Sequence, residues 1–366
     1  MKIHAAGGKG EHGRNCFCID DGQNTFLLDC GIIAEDRENP NPRLSKDEIE
    51  RLKVIFISHS HADHCGALEW IYAQGFNGAV VATKETFENI SFQIPNKIYL
   101  EQWNKLQNEN RFGIKIEYGR SGHCLGGVSI KLKFTDQKRT VFYTGDYTEH
   151  TQIFNCDKIR KQKSDFAIVD CAYGENTFTY KKQCHEIIFH IKKALKNCKP
   201  VLLPVPKNGR GIELLYFLTE KLGSKKVQFY ADDFLMNHIS SISSKTQAKW
   251  FSKTLDKIKK NLKLIPSNEV FTNAVIFVSN PQLKDGKAIL LSKRILIQNG
   301  KIIFTGTVEK DTLAQKLVNT QNARQIIYPV HQTNKGYEKL CAKNEFDQVI
   351  KFHTPDDDCQ ERNFSF

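Results

Sequence analysis

Short apolar runs separated by glycine-containing turns fill the first 174 residues: Thr25–Asp29, Val54–Ser58, Val128–Leu132 and Val141–Asp146. Runs of this length, rich in β-branched and aromatic residues and bounded by turn formers, predict strands. From Gly66 to Gly75 the apolar positions recur at helical spacing, which predicts a helix directly after the preceding histidine-rich turn. Beyond Gly174 the rhythm changes. Val201–Val205 reads as a buried strand, Gly211–Leu222 as a helix and Val227–Tyr230 as another strand, the alternation of an inserted α/β lobe. Within it Lys245–Lys263 reads as one lysine-rich amphipathic helix, with Trp250, Phe251, Leu255, Ile258 and Leu262 on its apolar stripe. The polar side of that helix is expected to be either a solvated face or a nucleic-acid groove. The tail Thr354–Asp358 is acidic and expected to be loose.

Composition narrows the class. Forty per cent hydrophobic and 26% charged residues are ordinary for a globular protein, and no apolar run is long enough to cross a membrane. The N-terminus Met1–Gly8 lacks the apolar segment of a secretory signal and is expected to be the first strand of the fold, so a cytoplasmic location is expected. The 11 cysteines include a C-x-C at Cys16 and Cys18 but no C-x-x-C, so reduced thiols are expected. A formal charge of +12 creates a field that favours a polyanionic partner.

The candidate chemistry is concentrated in Ser58-His59-Ser60-His61-Ala62-Asp63-His64. A strand end followed by a turn lets alternate side chains converge, so His59 and His61 can hold one metal ion while Asp63 and His64 turn toward a second. Imidazole with carboxylate suits zinc and also manganese or iron.

This segment matches the H-x-H-x-D-H signature at every specified position, and the chain therefore resembles the metallo-β-lactamase superfamily. The resemblance implies that His123 in Ser121-Gly122-His123 is a further histidine on the first ion, that Asp146 in Thr144-Gly145-Asp146 is a bridging carboxylate, and that Asp29 braces the site. The second half is similar to the β-CASP nucleases. The resemblance is carried by Gly8-Lys9-Gly10-Glu11-His12-Gly13, Asp170-Cys171-Ala172-Tyr173-Gly174, Pro204 to Leu215 with Gly209-Arg210 and Glu213-Leu214-Leu215, and Ile303-Phe304-Thr305-Gly306-Thr307. It implies a four-layer αββα metallo-β-lactamase fold, with residues 1–174 as its first part, 175–306 as an inserted α/β cap and 307–366 as the return to the fold.

By the same resemblance His353 completes the second metal site, His331 donates a proton with Asp170 in support, and Asp63 is both ligand and part of the catalytic set. Arg210, Ser279 and Asn280 are the substrate-binding candidates, although the turn Ser279-Asn280-Pro281 departs from the family's small-residue form. The expected protein is a ribonuclease with two zinc or manganese ions that cleaves single-stranded RNA to 5′-phosphate and 3′-hydroxyl ends. DNA remains open as a second substrate, and oligomeric state is left open. The competing readings are a lactamase-fold hydrolase acting on a small ester or thioester, and a silent RNA-binding subunit of a processing complex.

Overall fold

The computed structural model describes residues 1–105, 112–223, 227–267, 270–354 and 361–365. The chain forms two compact units. The first comprises Met1–Glu149, Cys156–Thr177 and His331–Phe366, and the second His150–Asn155 and Phe178–Val330.

In the first unit two sheets lie face to face. One has seven strands in the spatial order Asn363–Ser365, Lys2–Gly7, Cys16–Asp20, Thr25–Leu28, Leu52–Phe56, Ala79–Ala82 and Lys97–Tyr99. The other has five, ordered Glu345–Phe352, Lys163–Asp170, Arg139–Tyr143, Val128–Phe134 and Ile114–Arg120. Phe17 and Phe26 on the first sheet meet Tyr143, Phe352 and Phe134 on the second at ring-centroid separations of 5.7–5.8 Å. All five rings are buried, and each aromatic side chain so covered contributes about 1.5–3 kcal/mol. The outer faces carry helices. Leu68 and Ile71 of the helix Leu68–Ala73 join Leu27, Ile55 and Val80 in one core, and Leu340 of the helix Asn334–Ala342 packs with Phe142, Ala167 and Val169 in another. The result is the expected αββα layering.

The second unit is a six-stranded parallel sheet in the order Leu262–Leu264, Gln228–Ala231, Ala274–Val278, Val201–Pro204, Lys301–Phe304 and Ala323–Gln325. Its central strand Ala274–Val278 is buried at every position, as a strand covered on both faces must be. This is the inserted cap lobe.

Three local expectations change. Lys245–Lys263 is not one helix: Ser244–Trp250 and Asp256–Asn261 are separate helices, and Leu262–Leu264 is an edge strand. Phe251 adopts an extended backbone where the first helix stops, and the Gln247 side chain then accepts the backbone N–H of Leu255. The break still buries Trp250, Phe251, Leu255 and Ile258, so the stripe was real although the helix carrying it was not continuous. The helix expected over Gly66–Gly75 is Leu68–Ala73, and it does not follow the histidine-rich turn directly: a separate short helix, Ala62–Cys65, comes between and places Asp63 and His64 on helical backbone. The chain returns to the first unit at His331 instead of after Gly306, because the helix Leu313–Asn319 and the strand Ala323–Gln325 complete the parallel sheet. The acidic segment 355–358 lies outside the described residues; beyond it Asn363–Ser365 pairs antiparallel with the first strand. Among the described residues no helix is long and apolar enough to cross a membrane.

Candidate metal centre

Strand Leu52–Phe56 ends where its backbone delivers Ser58 and His59 to the rim of the core, and the turn that follows brings His61, Asp63 and His64 back over it. The approach is close enough that a Cβ on Gly31 would overlap the Asp63 carbonyl oxygen at 1.7 Å, so only glycine fits there. His123 and Asp146 come from turns after Ile114–Arg120 and Arg139–Tyr143, and His353 follows Glu345–Phe352. His353 holds a left-handed backbone with φ 66°, a conformation uncommon for a non-glycine residue and frequent where local strain positions a functional side chain.

These residues form two donor groups that share one carboxylate. In the first, His59 Nε2 is 3.0 Å from His61 Nδ1 and 3.4 Å from Asp146 Oδ2, and His123 Nε2 is 3.2 Å from His61 Nδ1 and 3.3 Å from Asp146 Oδ2. Four ligands at 2.0–2.1 Å around a tetrahedral ion stand about 3.3–3.4 Å apart, so this spacing fits a metal of that size. The ring nitrogen His61 Nε2 is buried with no hydrogen-bond partner, which fits a histidine held through its Nδ1. In the second group His64 Nε2 is 3.1 Å from Asp146 Oδ1 and 3.5 Å from Asp63 Oδ2, and His353 Nε2 is 3.3 Å from Asp63 Oδ2. Asp146 therefore offers Oδ2 to one group and Oδ1 to the other. Both groups consist of imidazole and carboxylate, the donor chemistry of zinc and manganese sites.

The electrostatics are those of a site built around positive charge. Burial opposes ionisation of Asp146, yet His64, His353, His331 and His59 hold its carboxyl well below the usual range. Burial likewise disfavours charge on His353, but Asp146, Asp63 and Asp170 outweigh it and push the imidazole up to about 9. His61 goes the other way, down to about 3, through burial and the neighbouring His59. Without an ion, protons on His64 and His353 balance the carboxylates; a bound cation would displace them, so affinity for it rises with pH.

Behind the site Asp29 is fully buried with φ 60°, a backbone that aspartate tolerates better than most residues. Its carboxylate accepts the Ser58 backbone N–H at 2.6 Å, the Ser58 hydroxyl at 2.7 Å, the Tyr143 hydroxyl at 2.6 Å and His64 Nδ1–H at 2.6 Å. The last bond turns His64 Nε2 toward Asp63 and Asp146. Asp29→Ala leaves four buried donors without their acceptor and should destabilise the protein by about 3–5 kcal/mol. Asp29→Asn keeps shape and backbone preference and should cost clearly less. Denaturant melts check both, and equal losses would mean the charge is not what holds the network.

His331 and Asp170 form the third element. His331 Nδ1–H donates to Asp170 Oδ2 at 2.9 Å, and Asp170 also accepts backbone N–H groups of Tyr147 and Ala172 at 3.0 Å each. The Asp170 side chain is thereby fixed, and the tautomer of His331 with it. His331 Nδ1 lies 3.8 Å from Asp146, and the His123 and His331 rings are 4.7 Å apart, so the pair adjoins the first donor group. A group drawn from Asp146, Asp170, His331 and His353 is itself compact enough to hold an ion.

Sequence reasoning passed over Tyr143, Ser58 and His12. The His12 ring is exposed and meets the edge of His353 at 5.6 Å. Its signal was its place in the glycine-rich opening motif, whereas a tyrosine inside an apolar strand reads simply as core.

Arg210, Ser279 and Asn280 belong to the second unit. Arg210 opens the helix Arg210–Leu222 and lies on the Gly306 backbone, where a Cβ would meet the guanidinium at 2.2 Å. The Ser279 backbone N–H and hydroxyl both donate to Asp232, at 2.6 and 2.7 Å. Asn280 accepts the Lys284 N–H and donates to Asp285, the N-cap of the helix Gly286–Ile297. Both side chains are thus engaged in shaping the turn.

Residues 10–160 match the metallo-β-lactamase superfamily. The chain is similar to the transcription termination factor FttA of Lokiarchaeum sp. (strain GC14_75), 28% identical over 64% of this chain and 42% of that protein. It is also similar to an RNase J-like protein of Methanocaldococcus jannaschii, 24% identical over 87% of this chain and 80% of that one, and to the endoribonuclease YSH1 of Candida glabrata, 24% identical over 82% and 44%. The chain thus spans less than half the length of this Lokiarchaeum FttA and of the Candida glabrata YSH1. A crystal structure of a protein of unknown function from Enterococcus faecalis V583 shares the fold, with a TM-score of 0.57 at 10% identity over 99% of this chain and 96% of that one.

Proposed function

We propose that this chain, a metallo-β-lactamase superfamily protein with β-CASP nuclease relatives, is a metal-dependent phosphodiesterase that cleaves single-stranded RNA. The observation that carries the reading is the shared carboxylate: Asp146 presents one oxygen to each of two convergent donor groups, with the His331–Asp170 pair beside them. His59, His61, His123 and Asp146 would hold one ion, and Asp63, His64, His353 and Asp146 a second. Two ions so bound supply Lewis-acid charge to phosphoryl oxygens and a hydroxide-like nucleophile at neutral pH.

The chain's own residues do the rest. Asp29 and Ser58 keep His64 and His59 oriented, so the site is organised before substrate arrives. The attacking water gives up one proton to solvent, its oxygen forms the new bond to phosphorus, and the bond from phosphorus to the 3′ oxygen breaks. The departing oxygen takes its proton from Nε2 of His331, which acts in the doubly protonated form with its Nδ1–H kept on Asp170, and leaves the ring as the neutral Nδ1–H tautomer that this bond holds. The products are a 5′-phosphate and a 3′-hydroxyl. Zinc is the first choice of metal on donor type and manganese the second.

Elemental analysis of the purified chain, paired with turnover of bis(p-nitrophenyl) phosphate and of an end-labelled RNA, tests the reading. Close to two divalent ions per chain and diester turnover abolished by chelation are expected. Hydrolysis of a thioester with no diester turnover would overturn it in favour of a small-substrate hydrolase, and one ion or none after metal loading would overturn the two-metal assignment.

A further inference from the structure

The second unit contains a cavity of about 440 Å³ formed where the end of the helix Tyr180–Lys196, the strand Lys301–Phe304 and the edge strand Ala323–Gln325 meet. Lys193, Lys199, Lys301 and Arg324 line it together with His190. Among the described residues none of these four cations stands in an ion pair, whereas Lys257 and Lys284 of the same unit are paired with Glu220 and Glu309. Among the described residues no carboxylate lines the cavity, and Glu186, one helical turn before His190, stands 3.8 Å from the ring of His190.

Two ordinary explanations fall short. A lysine in the last helical turn offsets the helix dipole, which accounts for Lys193. It does not account for Lys301 or Arg324, which come from strands. Edge strands carry charged residues to discourage pairing, which accounts for Arg324 alone. Neither explains cations converging from separate elements onto one concave surface. Four like charges brought together repel one another, and a bound anion removes that cost. Burial and the charges of Arg324 and Lys193 hold the His190 imidazole below its ordinary pKa, so at neutral pH the ring is an uncharged, flat member of the wall.

A second observation indicates what kind of anion. Phe189 is 52% exposed although phenylalanine normally buries, and its ring sits edge-on to His190 at 5.2 Å, beside the cationic wall. An exposed aromatic next to unpaired cations is the pairing that single-stranded nucleic acid requires, with a base stacking on the ring and phosphates in the positive groove.

We infer that this cavity is a second nucleic-acid site, which holds the phosphodiester backbone of a single strand with one base stacked on Phe189. It rests on the reading of the chain as an RNA phosphodiesterase and deepens it, because cleavage and strand holding are assigned to different residues.

The test compares the full chain with a Lys193→Gln/Lys301→Gln/Arg324→Gln variant and with Phe189→Ala. All the altered side chains lie at the surface, and a thermal melt establishes that each variant folds. Binding of a labelled oligouridylate is measured in EDTA, which prevents cleavage, across a salt series. The triple variant should bind more than about tenfold more weakly near 0.1 M salt, and its log–log salt slope should flatten by roughly 2, the contribution of three phosphates on a single strand. Phe189→Ala should lose about tenfold in affinity with an unchanged slope, because stacking is not ionic. Metal-loaded variants should hydrolyse bis(p-nitrophenyl) phosphate at the parent rate.

Unchanged oligouridylate binding and slope with normal diester turnover would overturn the second site and leave the proposed function standing. A parent chain that neither binds the oligouridylate nor hydrolyses the diester would overturn both. Competition by uridine monophosphate as effective as that by the oligomer would make the cavity a nucleotide pocket and overturn strand binding.

Discussion

Asp146→Ala is expected to empty both metal groups and to reduce diester turnover by more than about 10³-fold. Among the described residues no other side chain contributes to both: Oδ2 stands 3.4 Å from His59 and 3.3 Å from His123, and Oδ1 stands 3.1 Å from His64 and 3.2 Å from His353. Removing it withdraws one donor from each set and leaves a cluster of imidazoles with no shared anion to draw a cation in. The effect on folding should be modest by comparison. Asp146 sits on a turn after Arg139–Tyr143, outside the layers formed by Phe17, Phe26 and Phe134, and the metal-free variant is relieved of a buried charge. Elemental analysis and a thermal melt on the same preparation check this. If the variant still carries two ions per chain, the carboxylate is not the bridge and the two groups are independent.

Asp63→Ala draws a contrasting expectation. Of the candidate ligands its carboxylate pairs with His64 and His353, both in the second group, and it also accepts the Asn15 Nδ2–H at 3.5 Å, so the second ion should be lost and the first retained. A variant series in which Asp63→Ala and Asp146→Ala deplete metal equally would contradict the division into two groups.

The convergence of the candidate ligands was legible because most of the information is local. His59, His61, Asp63 and His64 occupy one strand end and one helical turn, so their convergence follows from backbone geometry within a short segment. The support around them was not legible. Tyr143 reaches Asp29 across 114 residues of sequence, and Gln332 donates its side-chain N–H to the Asp170 carbonyl oxygen across 162. Contacts of that range are set by how the sheets register on one another, and nothing in the neighbourhood of a buried tyrosine distinguishes a brace from core. The broken helix at Phe251 has a different cause. Periodicity records which residues face inward, and two short helices that turn about a buried junction preserve the inward set of one long helix. The edge strand Ala323-Arg324-Gln325 is too short and too polar to announce itself, so the return of the chain at His331 could not be read from composition.

His331 and His353 are expected to separate cleanly when each is replaced by alanine. His353 has Nε2 3.3 Å from Asp63 and Nδ1 3.2 Å from Asp146, on the inner side of the second donor group. His331 gives its Nδ1–H to Asp170 and comes no nearer to Asp146 than 3.8 Å. His353→Ala should therefore lower bound metal toward one ion per chain and almost stop turnover, whatever the leaving group. His331→Ala should keep its full metal content and slow RNA cleavage by roughly 10²–10⁴-fold, the range for loss of a general acid. A nitrophenolate leaves without needing a proton, so bis(p-nitrophenyl) phosphate should be hydrolysed by the His331 variant at close to the parent rate and by the His353 variant hardly at all. The same comparison addresses the third compact donor group, drawn from Asp146, Asp170, His331 and His353. If that group holds an ion, His331→Ala loses metal and the activated diester rescues nothing. Matching metal loss and matching failure of rescue in the two variants would make both histidines ligands and leave the departing oxygen without its proton donor.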